Sequence, residues 1–597
     1  MWHTLLALLL LAGVTPFAWA QQTAPRDDAS TTAPACEIGV VSVIFIDNHS
    51  IFDMTDPERE RRFDWAYRLA NALHVRTRAE VIERELLVRK GDCLDPMLLE
   101  ESERLLRAYP FLSRVDVFAI PQPDGTYHVV VDTQDEWSTQ VDLRIGLNDG
   151  LDFSGLRLRE LNLLGTGRML EFFYLEDDEN REYGIGYETP QLFRTRWDMR
   201  LAAGRSRAGS FVRQSVAYPF VGEVGRWAVR QSLRREDRFF GYAPARANAN
   251  QLLLPVAEKE VEFALIGRSG RVGALTTYGA AISYTGLAYP GGESAIEWEG
   301  TDGFAAVDEA TAAAIRRQRT ELESLRLLFL VGRRNIEWIK RRGLDSMRGQ
   351  QDVRLGTEVE LAIGGSLPGS SDDEGDLFTG VSLYGGVELG SFLVTSRLNV
   401  DGRRDFGAQH SAQAWKDIFA DAEALIYWRP GSAARHTFVL RVAGTGGWET
   451  RTPFQLTLGG DLGLRGYDRL HFPGGQRALL SLEDRVYFGW PFRDVLDLGG
   501  TLFLDVGRVW PGDVPFGVDS GWRAAAGLGL RGSFPSGGRT TYRIDLAWPL
   551  THGASWRDAR LVLSIGEILG IGSRRGDDRR RDDRQLQPTA EAFHFPR

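Results

Sequence analysis

The chain reads as mainly β: a transmembrane antiparallel β-barrel preceded by one small α+β domain. Three observations predict this. From Thr139 onward, apolar and polar residues alternate through one segment after another, with turn residues between them. The 597 residues include 66 glycines and 16 tryptophans but are only 43% apolar, which suits many turned strands with aromatic ends. The third observation is an export signal at the N-terminus.

That signal occupies residues 1–20. An apolar run from Leu5 to Val14 precedes Ala18-Trp19-Ala20, the small-x-small form of a signal-peptidase site before Gln21. Met1-Trp2-His3-Thr4 supplies no basic residue, so a membrane anchor is the competing reading, although the apolar run is shorter than an anchor needs. Residues 21–36, rich in Thr, Ala, Pro and Asp, read as a flexible linker. Cys36 lies too far beyond the apolar run to be a lipoprotein cysteine. These features direct the mature chain out of the cytoplasm.

Composition also excludes several function classes. A net charge of -10 argues against nucleic acid as a partner. The nine histidines are scattered, and no Cys/His spacing resembles a metal site. There is no Gly-x-Ser-x-Gly elbow, His-Glu-x-x-His pair or phosphate-cradling loop, so the expectation is a protein without catalysis or cofactor. Ser371 to Asp376 is acidic but lacks calcium-loop spacing, and reads as a solvated loop.

Residues 37–135 predict one small domain. Val41, Val43 and Phe45 alternate in a strand ending at Asp47-Asn48, and Pro57 to Leu73 adds an irregular helical segment. Thr77 to Val88 is a helix in which Thr77 and Glu80 predict a capping box. A further helix begins after Asp95 with Pro96 at its first position and stops near Tyr109-Pro110. Strands at 114–120 and 126–133 follow, joined by the turn Pro123-Asp124-Gly125. Cys36 and Cys93, the only cysteines, either pair as a disulfide in an oxidising compartment or stay as two buried thiols.

Residues 137–570 carry the barrel pattern. Tight connections such as Gly165-Thr166-Gly167 alternate with charged ones such as Glu176 to Asn180, suggesting short turns at one end and longer loops at the other. The strand-like segments number roughly twenty, with ambiguous ones between Arg238 and Thr320. Five closing strands are predicted at 478–488, 499–509, 522–532, 541–548 and 559–566. In the second, Leu502, Leu504 and Val506 share one face, which turns Phe503, Asp505 and Gly507 to the other. By the same parity Glu483, Arg485, Arg531, Arg543 and Asp545 face the lumen. Residues 571–597, with their Arg and Asp block, read as a disordered periplasmic tail.

Just before these strands stands Leu464-Arg465-Gly466-Tyr467. A guanidinium pairs two-pronged with a carboxylate, Asp505 is turned inward on a nearby strand, and Gly466 tolerates the backbone angles of a sharp tip. Together with Phe503-Leu504-Asp505-Val506-Gly507, the five closing strands and the N-terminal module, the motif resembles the BamA/TamA superfamily, the bacterial surface antigen family. The module, with Arg-Glu-Leu-Leu and Glu-Ser-Glu-Arg-Leu-Leu-Arg before Phe111-Leu112, resembles a POTRA domain. The resemblance implies sixteen strands, a figure taken here over the raw count because of the ambiguous segments between Arg238 and Thr320. It also implies a loop folded into the lumen whose Arg465 meets Asp505, and a weak seam between Thr139–Leu147 and the last strand.

The function this implies is insertion or translocation of polypeptides at the bacterial outer membrane, with the N-terminal domain in the periplasm. Its partners would be outer-membrane lipid and unfolded client polypeptides docked on the POTRA-like sheet edge, with partner lipoproteins unidentified. A two-partner-secretion-type exporter and a passive channel or surface structural protein are the alternatives.

Overall fold

The computed structural model describes residues 36–54, 63–147, 151–177, 180–243, 252–290, 296–298, 304–367, 375–406, 414–431, 435–460, 463–468, 470–489, 495–550 and 558–565. The expected signal, most of the linker, the tail, Gly566 and all but the end of the acidic 371–376 loop lie outside the described residues.

The N-terminal module is built on three strands in the order β1 (Val41–His49), β3 (Tyr127–Asp135), β2 (Leu112–Pro121). β1 runs parallel to β3, and β2 antiparallel to it. Val129, Val131 and Thr133 alternate along β3 and are fully buried, which keeps this strand in the middle. The helices are α1 (Asp64–Leu73), α2 (Ala79–Glu85) and α3 (Pro96–Arg107). Asp95 caps α3 by accepting from the Met97 N–H at 2.9 Å, and Pro96 sits in the first turn where no N–H is needed. Cys36 and Cys93 are disulfide-bonded, with 5.3 Å between their Cα atoms.

The capping box expected of Thr77 and Glu80 is not formed. Arg78 occupies the N-cap of α2 without a side-chain capping bond, its Nε donating instead to the Leu164 carbonyl at 3.2 Å. Thr77 instead donates its N–H to Asp135 at 2.7 Å and accepts at its hydroxyl from Asn162 Nδ2, also at 2.7 Å. The hydroxyl is thus held by a barrel turn, a long-range partner that competes with the local cap.

Twenty strands close the barrel among the described residues, from Thr139–Leu147 to Arg560–Ile565, leaving aside two three-residue strands in a loop. The count of sixteen implied by the resemblance is therefore corrected. The difference includes the segment between Arg238 and Thr320, which was ambiguous in the sequence. It contributes the long strands Trp227–Tyr242, Leu252–Arg271 and Ala274–Ala288, followed by Leu322–Arg342. Their inward positions carry Arg and Glu that satisfy one another, such as Arg230 with Glu262 at 2.5 Å, so dense charge does not break the strands.

Connections alternate between the two barrel ends. The end that meets the N-terminal module carries short turns, and the far end carries the long connections 289–321 and 449–475. The charged connection at Glu176 to Asn180 is tight rather than long, with Asp177 directly opposite Asn180. Outward positions are apolar: Leu502, Leu528, Leu530, Ile544 and Leu563 are 46–60% exposed.

The module docks across its end of the barrel. Leu161 and Val221 from barrel turns join the module's own core around Ile82, Leu105, Phe111 and Val115. Polar contacts fix the seat. Arg107 grips Asp352 with two prongs at 2.7 and 3.1 Å, Gln191 Nε2 donates to the Val81 carbonyl at 3.0 Å, and the Glu223 N–H donates to Glu101 at 2.7 Å. Gly165, with φ +71°, passes so close to the Arg76 carbonyl that a Cβ would sit 2.2 Å from its oxygen. Burial pushes the Glu223 carboxyl up, but Arg334 and Arg268 outweigh this and hold it at about 2.

Candidate functional site

The connection 449–475 enters the lumen and places Leu464 among Leu458, Leu479, Val509 and Ala525, all buried. This apolar seat fixes the next residue. Arg465 Nε donates to Asp505 Oδ2 at 2.7 Å, and Nη2 to Oδ1 at 2.9 Å, a two-pronged pair. Its Nη1 donates to Glu483 Oε1 at 2.8 Å and to Asp545 Oδ2 at 3.1 Å. The guanidinium carbon lies 3.5 Å from the centroid of the Phe503 ring, stacking on it as the pair forms.

Strand register brings these groups together. Phe503 is opposite both Glu483 and Gly527, and Asp545 is opposite Gly529. Arg543 Nη2 donates to Glu483 Oε1 at 3.1 Å and to Asp545 Oδ2 at 2.8 Å, and Arg485 Nε donates to Glu483 Oε2 at 2.9 Å. Three guanidinium groups, Arg465, Arg485 and Arg543, thus face three carboxylates, Glu483, Asp505 and Asp545, all at most 2% exposed. Equal and opposite charge is what makes burying so many ions feasible.

Gly466 is needed for space and not for backbone angles: its φ lies outside the left-handed region, but a Cβ would meet Pro549 N and the Trp548 carbonyl carbon at 2.7 Å. The loop backbone therefore lies directly on the wall. Tyr467 packs against Phe472 with ring centroids 5.7 Å apart. At Gly507 a Cβ would approach Leu458 to 2.8 Å, so this glycine admits the loop's leucine.

Arg531 faces inward as well but lies nearer the module end, where its Nη2 donates to the Asp345 carbonyl at 3.1 Å. The turn 343–349 enters from that end. Leu344 is buried against Tyr427, whose hydroxyl donates to Asp345 Oδ1 at 2.6 Å, and Arg485 Nη1 donates to the Leu344 carbonyl at 2.8 Å. Arg485 therefore links this turn to Glu483, which accepts from Arg465 of the loop that enters from the other end.

Sequence reasoning missed Asp345, Leu344, Gly527 and Gly529. A Cβ on Gly527 would sit 2.3 Å from Phe503 Cζ, and one on Gly529 would sit 2.0 Å from Asp545 Oδ1. The inward parity of Ala525, Gly527 and Gly529 was an available signal, since a small-residue stripe on a lumenal face leaves room for something to occupy it.

No family model matches the chain, and no curated protein matches it in sequence. Among solved structures, the BamA of Haemophilus ducreyi lacking POTRA domains 1-3 is similar over 88% of this chain and 83% of its own, at 13% identity and a TM-score of 0.35. CdiB from Acinetobacter baumannii is similar over 89% of this chain and 74% of its own, at 12% identity and a TM-score of 0.34. OccK1 (OpdK) of Pseudomonas aeruginosa covers 72% of this chain and 95% of its own, at 13% identity and a TM-score of 0.29. None of these similarities assigns the chain to a family.

Proposed function

We propose that this chain is an outer-membrane protein assembly or translocation factor that handles unfolded polypeptides without covalent chemistry. The observation that carries this reading is the Arg465 fork. A loop held inside a closed barrel by a buried, charge-balanced cluster is a device for keeping a pore shut while the wall remains free to act. The apolar outward face supports placement in a membrane.

Two further features fit the same role. Among the described residues the last strand, Arg560–Ile565, has six residues beside nine in its neighbour Thr139–Leu147, and we read the seam between them as the place where the wall opens. A client strand could pair there. The N-terminal module, read as POTRA-like, also offers an edge strand in β2, where Phe118 and Ile120 are exposed.

Paired cysteines along Thr139–Leu147 and Arg560–Ile565 test the proposal. Oxidation that closes the seam should stop client barrels from appearing in outer membranes, and reduction should restore them. Unimpaired client assembly with the seam locked would remove lateral opening from the account. Loss of a single secreted protein on depletion would instead favour a dedicated exporter, and a large constitutive conductance unaffected by deleting 463–468 would favour a passive channel.

A further inference from the structure

We propose that the open face of the N-terminal sheet is the docking site for this chain's own C-terminal segment, Phe593-His594-Phe595-Pro596-Arg597. α2 and α3 cover one face of that sheet, where Val115, Val129 and Val131 are fully buried in the module's core. The residues between them point the other way. Register aligns these in three rows: Val43–His128–Ile120, then Phe45–Val130–Phe118, then Asp47–Asp132–Asp116. Phe45, Phe118 and Ile120 are 43–50% exposed. In the acidic row Arg114 pairs with Asp132 at 3.2 Å and lies 3.9 Å from Asp116, while His49 lies 3.5 Å from both Asp47 and Asp132. Two largely apolar rows thus stand open beside a row in which three carboxylates share one guanidinium.

Spacing, charge and reach select the occupant. Successive rows are two residues apart along the strands, about 7 Å. An extended chain sets alternate side chains on one side at the same spacing, so Phe593, Phe595 and Arg597 meet an apolar, an apolar and an acidic row in turn. Pro596 favours extended backbone at Phe595. The last strand also delivers the chain to the right place. Ile565 is opposite Tyr542, just after the turn 534–541, whose Phe534 ring lies 6.5 Å from Phe52 of the module and whose Arg539 N–H donates to Glu136 at 3.0 Å. Residues 566–592 bridge about 30 Å as a flexible chain. The nine residues of β3 span a similar length, about 30 Å, so the segment reaches the rows. Because Phe118 and Ile120 belong to β2, a seated segment would cover part of the surface that the proposed function offers to clients. The docking itself does not depend on that function.

The test uses the full-length protein in detergent carrying Phe595→p-benzoylphenylalanine, which keeps an aromatic ring and crosslinks to its neighbours on irradiation. Mass spectrometry of the digest locates the adduct, and a mixture of isotope-labelled and unlabelled protein separates adducts within one chain from adducts between chains. The adduct should map to 43–47, 116–120 or 128–132 of the same chain. Phe45→Ser/Phe118→Ser should lower its yield at least about fivefold. Asp47→Lys/Asp116→Lys should lower it similarly at low salt and less at high salt. Phe193→Ser, which alters an 86% exposed ring at a barrel turn, should leave the yield unchanged. Absence of adducts from the module, or a yield that neither variant changes, overturns the proposal. Adducts between chains overturn the seat within one chain and assign the face to a second copy. The readout needs no client, so its failure is distinguishable from failure of the proposed function.

Discussion

Arg485 donates to the Leu344 carbonyl at 2.8 Å with one nitrogen and to Glu483 at 2.9 Å with another. Glu483 in turn accepts from Arg465 of the opposite loop at 2.8 Å. Two chain segments entering from opposite ends of the barrel are therefore joined through two side chains on one strand. Arg485→Ala should cost about 3 kcal/mol, because it leaves a buried carbonyl unpaired and removes one cation from Glu483. Hydrogen exchange should then rise in both 343–349 and 463–468. A rise confined to 343–349 would show that the two segments are not coupled.

Arg465 and Asp505 provide a direct measure of the loop's attachment. Either single alanine strands a charge in a buried site, which costs about 3–5 kcal/mol. The double variant should lose no more than the larger single loss, since the second substitution removes the stranded partner. Arg465→Lys keeps the charge but not the fork and should fall between wild type and Arg465→Ala. Additive losses in the thermal unfolding of the barrel would mean that the 2.7 Å contact contributes nothing.

The inward direction of Asp505 and of the charges on the closing strands was legible because parity in a strand is fixed once its apolar face is known. Leu502 and Leu504 outside leave no other place for Phe503 and Asp505. The turn 343–349 was not legible. Gly-Leu-Asp-Ser-Met-Arg-Gly has the composition of any surface turn, and its partners Tyr427, Arg485 and Arg531 lie far away in sequence. The roughly twenty strand-like segments counted in the sequence agree with the twenty strands of the barrel, and it is the sixteen implied by the resemblance that fails. Arg230, Arg234 and Glu236 look solvated when read locally, whereas in the barrel their partners come from neighbouring strands or two residues along. Gly466 was read for its backbone freedom, but the constraint is contact with Trp548 and Pro549, and that requires a fold to see.

Gly529 tests whether the lumenal face of its strand was left small to house the cluster. An alanine there would place Cβ 2.0 Å from Asp545 Oδ1 and 3.0 Å from the Ile544 carbonyl oxygen, so the carboxylate must swing away from Arg465 and Arg543. Gly529→Ala should destabilise the barrel by about 1–3 kcal/mol. Gly532→Ala on the same strand meets nothing closer than 3.6 Å and should stay within about 0.5 kcal/mol of wild type. Equal unfolding temperatures for the two variants would show that the cluster does not need this space.

Glu85 makes docking of the N-terminal module depend on pH. Its carboxyl is fully buried between α2 and the barrel turn after Leu192, accepts from Tyr109 at 2.8 Å and from Gln191, and lies near Arg196. Burial raises its pKa above the ordinary 4.5, and Arg196 only partly opposes this. A carboxyl raised in the folded state stabilises docking fully below pH 4.5, and this contribution is lost as pH rises through the higher folded value. Glu136, which accepts from the Arg539 N–H at 3.0 Å, is shifted upward by burial with the same sign. Glu223 has the opposite sign, and its contribution persists until pH falls toward about 2, so it does not offset the slope between pH 4.5 and neutrality. Protease cleavage within α2 and α3 should therefore quicken from pH 5 to pH 7.5 in wild type. Glu85→Gln keeps the shape and the Tyr109 bond without the charge, so its cleavage should be slower at pH 7.5 and depend less on pH. Adding Glu136→Gln should flatten the profile further, whereas a variant that follows the wild-type profile would remove Glu85 as the titrating group.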